Sequence, residues 1–274
     1  MTTQEQYIPR GASTMDKYPS TPRRLLLIGL AGTGKTFSAL TFPNPIVADL
    51  DNKLLGYRQS NPDSKFLAMP FWNMEFCSVF CKCTNAGYGK PNNPKYPPNA
   101  RDALKYWLLE EGPKLSKDTT FILDSWTSLQ TAFDIQTNLP HEITFSTATG
   151  KEDGFAFWKK KKQYSKEIIE SIKSLSCNVV VICHETYERN DNGNIIGVKA
   201  LMDGSYADEL PSAFTDVYRQ KILTKDDALL LKLKQDGNVG YYWQTCKDSK
   251  FQIACKSIPN LPDYVPANFN SLTV

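Results

Sequence analysis

Apolar runs bounded by turn residues recur along the first two thirds of the chain and alternate with helical patterns. These runs, rich in Leu, Ile and Val, cover residues 24–28, 45–49, 120–124 and 178–183. Strands that alternate with helices are typical of a parallel sheet, because each helix returns the chain to the edge where the previous strand began. The pattern therefore predicts an α/β domain whose strands all end at one edge.

Two helices are predicted from apolar residues that repeat every three or four positions. The shorter helix covers residues 99–110. The longer covers about 155–175, and its first turns carry four consecutive lysines, Lys159 to Lys162. Consecutive residues wrap around a helix, so most of these lysines are solvated, and a plain surface and a nucleic-acid contact remain alternatives.

The later part of the chain has a different pattern. After residue 216, the segments DVYRQKIL, ALLLKLKQ and VGYYWQTC predict three strands that extend the sheet in antiparallel fashion. The prolines within residues 66–98 break regular elements and indicate an insertion. We predict a flexible arm at 1–20, one domain at 21–262 with the insertion at about 66–98, and a C-terminal tail at 263–274.

The composition favours a single cytoplasmic domain. The chain has 274 residues, 41% of them hydrophobic, and a net charge of +3, which suffices for one core. No run approaches the ~18 apolar residues of a membrane span, and the polar N-terminus lacks a signal-peptide block. We expect no membrane association.

The seven cysteines are an odd and scattered set, which favours reduced thiols over a disulfide framework. Three of them, Cys77, Cys81 and Cys83, form the segment CSVFCKC. A zinc site needs a fourth ligand that this spacing does not supply nearby, so partly buried thiols are the favoured interpretation.

The most specific motif is GLAGTGKT at residues 29–36, directly after the first apolar run. A glycine-x4-glycine-lysine-threonine sequence at a strand-to-helix junction is a phosphate-binding loop. Its glycines let successive backbone N–H groups turn toward the phosphates, since a side chain would block positive φ angles and close approach. The predicted residues for binding a nucleoside triphosphate are Gly29, Leu30, Ala31, Gly32, Thr33, Gly34, Lys35, Thr36 and Phe37.

Two residues of this loop have a specific chemical role. Lys35 supplies a mobile positive charge to the terminal phosphates, and the hydroxyl of Thr36 is a ligand for Mg²⁺. The helix that begins at about Lys35 points its positive end at the same anion.

Acidic residues end two other predicted strands. The run FILD places Asp124 at the carboxyl edge beside Thr36, where it can hold Mg²⁺ through water; capping the next helix is the alternative. The run IVADLD ends in Asp49 and Asp51, and Asp51 can orient or deprotonate the attacking water. An ordinary turn aspartate is the alternative for Asp51.

A histidine follows the strand NVVVIC. A neutral imidazole can donate one hydrogen bond to a phosphate oxygen while it accepts another from a neighbour. His184 is therefore a candidate phosphate sensor, with a purely structural histidine as the alternative.

Together these motifs resemble RecA-like ATPases, and among them phage-encoded nucleotide-binding proteins that act as single-strand annealing recombinases. The resemblance covers most of residues 22–262 and consists of GLAGTGKT, ADLD, LDSWTSL, VVICHE and a Gly-containing loop before DVYRQ. It implies a RecA-like P-loop fold, α/β with a mostly parallel central sheet, and ATP and Mg²⁺ as cofactors. It also implies water activation by Asp51 and a γ-phosphate signal through His184. A phage-encoded chain would act in the host-cell cytoplasm.

The resemblance places a DNA-binding loop after His184. The segment ETYERNDNGNIIGVKA contains an Asn-Gly turn between two arms, which predicts a hairpin. Tyr187, Arg189 and Lys199 are its candidate contacts to single-stranded DNA. An ordinary surface hairpin is the alternative.

The resemblance also implies self-association into a ring or filament, because RecA-like enzymes complete their site with a cation from a neighbouring subunit. Lys232, Lys234 and Lys256 are the candidates. A solvated strand lysine is the alternative for each, and Ser257 stands where the family tends to have an arginine.

The sequence therefore predicts a Mg-dependent ATPase whose catalytic residues are Lys35, Asp51, Asp124 and His184. We expect it to act on single-stranded DNA in phage recombination, annealing or repair, with a single-strand binding protein as a further candidate partner. One alternative is a phosphotransferase, for which Arg101 is the candidate lid arginine. Another is an adaptor or loader that uses ATP only as a switch.

Overall fold

The chain forms one large sheet with helices on both faces. The computed structural model describes residues 22–61, 65–80, 100–138, 143, 145, 151–202, 209–246, 255 and 261–272. Its strands are β1 (Arg24–Gly29), β2 (Pro45–Asp49), β3 (Leu67–Pro70), β4 (Thr120–Asp124), β5 (Asn178–Arg189), β6 (Ile195–Ala200), β7 (Asp216–Thr224), β8 (Val239–Gln244) and β9 (Tyr264–Pro266). Its α-helices are α1 (Lys35–Ala39), α2 (Leu54–Ser60), α3 (Met74–Phe80), α4 (Ala100–Glu110), α5 (Trp126–Thr137), α6 (Gly154–Lys173) and α7 (Lys225–Leu230).

The strand order is β3-β2-β4-β5-β1-β7-β8-β9, with β6 paired to β5. The strands from β3 to β7 in this order are parallel. Strands β8 and β9 are antiparallel, and β6 forms an antiparallel hairpin with β5. The predicted α/β class with a mostly parallel sheet and an antiparallel extension is confirmed. The carboxyl ends of β1, β2, β4 and β5 therefore meet at one edge.

Both faces of the central strands are buried. On β1, Leu26 and Ile28 pack toward α4, α5 and α6. The alternate residues Leu25 and Leu27 pack toward α1, β8 and the C-terminal segment. Burial on both sides explains why the parallel strands read as continuous apolar runs instead of alternating ones.

The two predicted helices are present as α4 and α6, and the lysine run of α6 is partly structural. Lys161 is buried, and its Nζ lies 2.5 Å from the carboxylate of Asp134 in α5. Lys162 pairs with Glu209 at 2.7 Å. At least these two lysines of the run hold protein contacts, which favours the plain-surface interpretation over a nucleic-acid contact.

The segment ALLLKLKQ is not a strand. It contains the end of α7 and the turn after it. Thr224 Oγ1 accepts the backbone N–H of Asp227 at 3.2 Å, and the Asp227 carboxylate accepts the N–H of Thr224 at 3.1 Å. This reciprocal capping box starts α7 in the sequence TKDD, directly before the segment that was predicted to be a strand.

Residues 261–272 are not a tail. Strand β9 pairs with β8, and Val265 and Leu272 are buried. The Phe269 ring lies 4.8 Å, centroid to centroid, from the ring of Phe42. This segment completes the apolar core on the α1 face, so the predicted domain end at 262 is too early.

The predicted insertion begins too early as well. Strand β3 pairs with β2, and Met69, Phe71 and Cys77 belong to the core. The Cys77 thiol donates to the Phe71 carbonyl at 3.1 Å, as expected of a buried thiol. Residues 81–99, which include Cys81 and Cys83, lie outside the described residues, as does the predicted arm at 1–20.

In the described ranges, no helix combines the length and apolar character that crossing a membrane requires.

Candidate nucleotide-binding site

The phosphate loop, residues 29–36, joins β1 to α1 at the carboxyl edge of the sheet. Gly32 and Gly34 have φ angles of 78° and 84°, which L side chains rarely adopt. A Cβ at Gly34 would also lie 3.1 Å from the ring of Tyr241. The backbone conformation therefore requires glycine at both positions.

Lys35 lies folded over the start of this loop. Its Nζ donates to the carbonyl oxygens of Gly29 at 2.8 Å and Leu30 at 2.7 Å. Burial lowers the pKa of Lys35 to about 8, although Asp124 opposes the shift. The ammonium is thus still charged at neutral pH, and a bound phosphate would supply the anionic partner that the buried charge needs.

Thr36 and Asp124 form a pair of oxygen ligands for a metal ion. Thr36 Oγ1 donates to Asp124 Oδ2 at 2.6 Å. Burial raises the pKa of Asp124 to about 6, while the hydrogen bond from Thr36 opposes the shift. Asp124 is therefore mostly ionised at pH 7.

This pair of oxygen ligands fits Mg²⁺, a hard cation that keeps water and phosphate oxygens as further ligands. Among the described residues, no group of three or more His, Cys, Asp or Glu side chains could hold a metal ion by itself. The Thr36–Asp124 pair thus leaves the remaining positions around Mg²⁺ to water and phosphate oxygens.

The two aspartates after β2 have different environments. The Asp49 carboxylate accepts the backbone N–H groups of Asp51 and Asn52, both at 2.9 Å, so it shapes the turn. Asp51 is buried, accepts a hydrogen bond from Ser128 Oγ and forms an ion pair with Lys53. The turn role thus belongs to Asp49, and Asp51 is the aspartate that lines the cavity.

His184 lies on β5 opposite Gly29 of β1 and lines the same cavity. Burial lowers the pKa of its half-buried imidazole, and the positive charges of Lys35 and Lys53 lower it further. The ring is therefore neutral at pH 7, the state in which it can both donate and accept a hydrogen bond.

These residues surround a cavity of about 660 Å³, within the range of a nucleotide-sized ligand site. Its lining is Ala31, Gly32, Thr33, Gly34, Lys35, Thr36, Phe37, Ser38, Thr41, Asp51, Lys53, Tyr57, Asp124, Ile182, His184, Tyr241 and Ala267. The four residues predicted to be catalytic are thus brought together in one site.

Residues 21–250 match the model of a family described as AAA domain. The chain belongs to this AAA domain family. It is an AAA-type P-loop ATPase domain, in agreement with the geometry of the loop.

No curated protein matches the chain. Among solved structures, the flagellar accessory protein FlaH from Methanocaldococcus jannaschii is 8% identical, with a TM-score of 0.36 over 82% of this chain and 78% of that one. The ATP synthase subunit NeqB from Nanoarcheaum equitans is 11% identical, with a TM-score of 0.38 over 75% of this chain and 46% of that one.

Several lining residues of the AAA domain were missed in the sequence. Lys53 follows Asp51 by two positions, and a cation next to an acid at a strand end is a signal that could have identified it. Tyr241 and Ala267 come from β8 and from the segment after β9. Nothing near them in the sequence indicates a ligand, because their role depends on the pairing of distant strands.

The predicted hairpin after His184 is present, formed by β5 and β6. The polar groups of its candidate DNA contacts have partners within the protein. Tyr187 donates to Glu185 at 2.8 Å, Lys199 lies 2.5 Å from Glu188, and Arg189 donates to a backbone carbonyl in the turn at 2.7 Å. None of the three is among the cavity-lining residues.

The predicted interface lysines lie away from the cavity. Lys232 and Lys234 are exposed in the turn after α7 and do not line the cavity. Lys256 lies outside the described residues. Arg101, the candidate lid arginine, is held in α4, where it donates to Asp102 and stacks on Tyr164 with 3.6 Å between its guanidinium carbon and the ring centroid.

Proposed function

We propose that this AAA domain binds ATP together with Mg²⁺ and hydrolyses it. The observation that carries the proposal is the convergence of Lys35, the Thr36–Asp124 pair and Asp51 on one cavity at the carboxyl edge of the sheet. Each of these groups has a separate part in phosphoryl transfer to water.

The phosphate loop holds the triphosphate through its backbone and Lys35. Thr36 and Asp124 are the residues that would hold Mg²⁺, which when bound neutralises charge on the phosphate oxygens. Ser128 fixes one oxygen of the Asp51 carboxylate, so this group can orient a water molecule and accept its proton. The water oxygen then bonds to the γ-phosphorus as the bond to the β-phosphate oxygen breaks, and ADP and phosphate leave.

His184 is the proposed sensor of the γ-phosphate. Strand β5 continues from this residue at the cavity into the hairpin, with a register shift between Glu188 and Arg189. A contact between the neutral imidazole and the terminal phosphate would thus act on the same strand that carries the hairpin.

Single-stranded DNA is the proposed partner, in recombination, annealing or repair of phage DNA. The proposal rests on the resemblance of the motifs to annealing recombinases and on the hairpin that continues β5. Assembly into a ring or filament on DNA belongs to the same proposal.

The packing of Arg101 supports hydrolysis over transfer to a small molecule. A phosphotransferase generally closes an arginine-bearing lid over the donor phosphates. Here Arg101 is engaged with Asp102 and Tyr164 between α4 and α6, on the sheet face opposite to α1.

The test is ATP hydrolysis by the full chain with and without single-stranded DNA, beside calorimetric ATP binding. We expect Mg-dependent turnover that DNA increases. Turnover that DNA does not change would contradict the DNA partner alone. ATP binding without turnover would support the adaptor alternative and contradict the enzymatic proposal.

A further inference from the structure

Lys53 is a cation of the cavity that no motif of the loop explains. It follows the end of β2 by four positions, and its Nζ lies 2.6 Å from Asp51 Oδ2. The Lys53 side chain is 62% exposed, whereas that of Asp51 is 4% exposed. A largely exposed lysine thus pairs with the buried carboxylate that is proposed to accept the proton of water.

Lys53 lies among the other charged residues of the cavity. It lines the same cavity as the phosphate loop, the Thr36–Asp124 pair and His184. The terminal phosphate of a nucleotide held by Lys35 would enter this region.

We propose that Lys53 is a catalytic residue that acts within its own subunit. In the empty site it pairs with Asp51; when ATP binds, its ammonium moves to the γ-phosphate, leaving Asp51 able to accept a proton from water. This inference rests on the proposed ATP hydrolysis and names a further residue of that site.

Burial and charge favour the proposed movement of the Lys53 ammonium from Asp51 to the γ-phosphate. The Lys53 side chain is largely exposed although Asp51 is buried, so water competes with Asp51 for the Lys53 ammonium. The γ-phosphate carries more negative charge than one carboxylate, and the four-carbon stem of lysine lets its ammonium follow the larger charge. Asp51 keeps its position during the exchange, because its other oxygen accepts the hydrogen bond from Ser128.

The same location explains what Lys53 would do in the reaction. Negative charge on the γ-phosphate oxygens is redistributed as the bond to the β-phosphate breaks, and a cation placed there stabilises the transition state. Lys53 lines the cavity of its own subunit and therefore supplies this charge without a neighbouring subunit.

The first test is calorimetric binding of ADP and of a non-hydrolysable ATP analogue, with Mg²⁺ chelated. Lys53→Ala is expected to weaken binding of the analogue about tenfold and to leave ADP binding unchanged, because only the γ-phosphate loses a charge-assisted contact. Lys114→Ala is the matched control, since Lys114 is 65% exposed and lies 2.7 Å from Glu111 in an ion pair that does not line the cavity. Equal loss for both nucleotides, or no loss for either, would overturn the proposal.

The second test is turnover. Lys53→Ala is expected to lower kcat about 100-fold or more, on the scale of a cation that stabilises phosphoryl transfer, and Lys53→Arg is expected to restore part of it. Unchanged kcat in Lys53→Ala beside an active wild type would overturn Lys53 as a catalytic residue. An inactive wild type would instead refute the proposed hydrolysis, and the calorimetry would still decide whether Lys53 contacts the γ-phosphate.

Mixing two variants tests whether Lys53 acts in its own subunit. Lys53→Ala lacks the cation, and Lys35→Ala lacks the loop lysine but keeps Lys53. If Lys53 acts within its subunit, the mixture shows no more turnover than the sum of its parts. Recovery of turnover on mixing would show that Lys53 reaches a neighbour's nucleotide and would overturn this part of the proposal.

Discussion

Two aspartates in one short sequence have separate roles because their hydrogen-bond partners differ. Asp49 accepts backbone N–H groups and closes the turn, whereas Asp51 is held by Ser128 and faces the cavity. The sequence ADLD predicts acids at this edge and Asp51 as the one that faces the ligand, but it leaves a turn role for Asp51 open. That choice depends on Ser128, which lies in α5 and far away in the chain.

Ser128 is a positioning residue for Asp51, and its removal should affect the reaction more than binding. We expect Ser128→Ala to lower kcat about tenfold, the loss expected when one hydrogen bond to a charged group is removed. The KM for ATP should stay within about twofold, because Ser128 does not line the cavity. A parallel rise in KM in steady-state kinetics would indicate a general disturbance of the site instead.

The pKa of Lys35 predicts how nucleotide affinity depends on pH. Burial lowers this pKa to about 8 in the free protein, and a bound phosphate raises it, so binding favours the protonated amine. The association constant should therefore be steady at pH values below 8 and fall above it by up to about tenfold per pH unit. Calorimetry with ATP and without metal above pH 7.5 follows this group, because the phosphates of ATP are already ionised there, and a flat profile to pH 9.5 would contradict the assignment.

At the scale of elements, the sequence predicts strands best where both faces of the strand are buried. Strands β1, β2, β4 and β5 are buried on both faces and read as unbroken apolar runs. The segment ALLLKLKQ, which holds the end of α7 and the turn after it, was mistaken for a strand because its Leu and Lys residues alternate as in a half-buried strand. Strand β9 has three residues, too few for any period to be recognised.

The capping box of α7 gives a prediction about stability. Thr224→Ala should lower the free energy of unfolding by about 1 kcal/mol, because it removes the N-cap acceptor of the helix. Asp226→Ala is the control, since Asp226 is exposed in the same first turn but lies outside the capping box. Denaturant unfolding measures both, and equal losses in the two variants would show that the cap contributes nothing specific.

At the scale of the whole molecule, the C-terminal segment completes both the core and the ligand cavity. Leu272 and Val265 are buried in the core on the α1 face, and Ala267 lines the cavity. The sequence did not reveal this, because the segment pairs with β8 and contacts Phe42 only after the chain has folded. The same holds for the cavity wall that Tyr241 supplies.

Leu272→Ala tests whether this segment belongs to the core. We expect it to lower the free energy of unfolding by about 2 to 4 kcal/mol, the usual cost of a cavity left by a buried leucine. A loss below about 0.5 kcal/mol in urea unfolding, typical of a surface position, would mean that the segment is not packed in solution.

The central claim is that this cavity hydrolyses ATP with Asp51 as the group that accepts the proton of water. The most direct measurement compares Mg-dependent ATP turnover and ATP binding in the wild type and in Asp51→Asn, with Asp118→Asn as an exposed control. The account predicts ATP binding in all three proteins and a fall in turnover of about 100-fold or more in Asp51→Asn alone. Wild-type turnover in Asp51→Asn would contradict it.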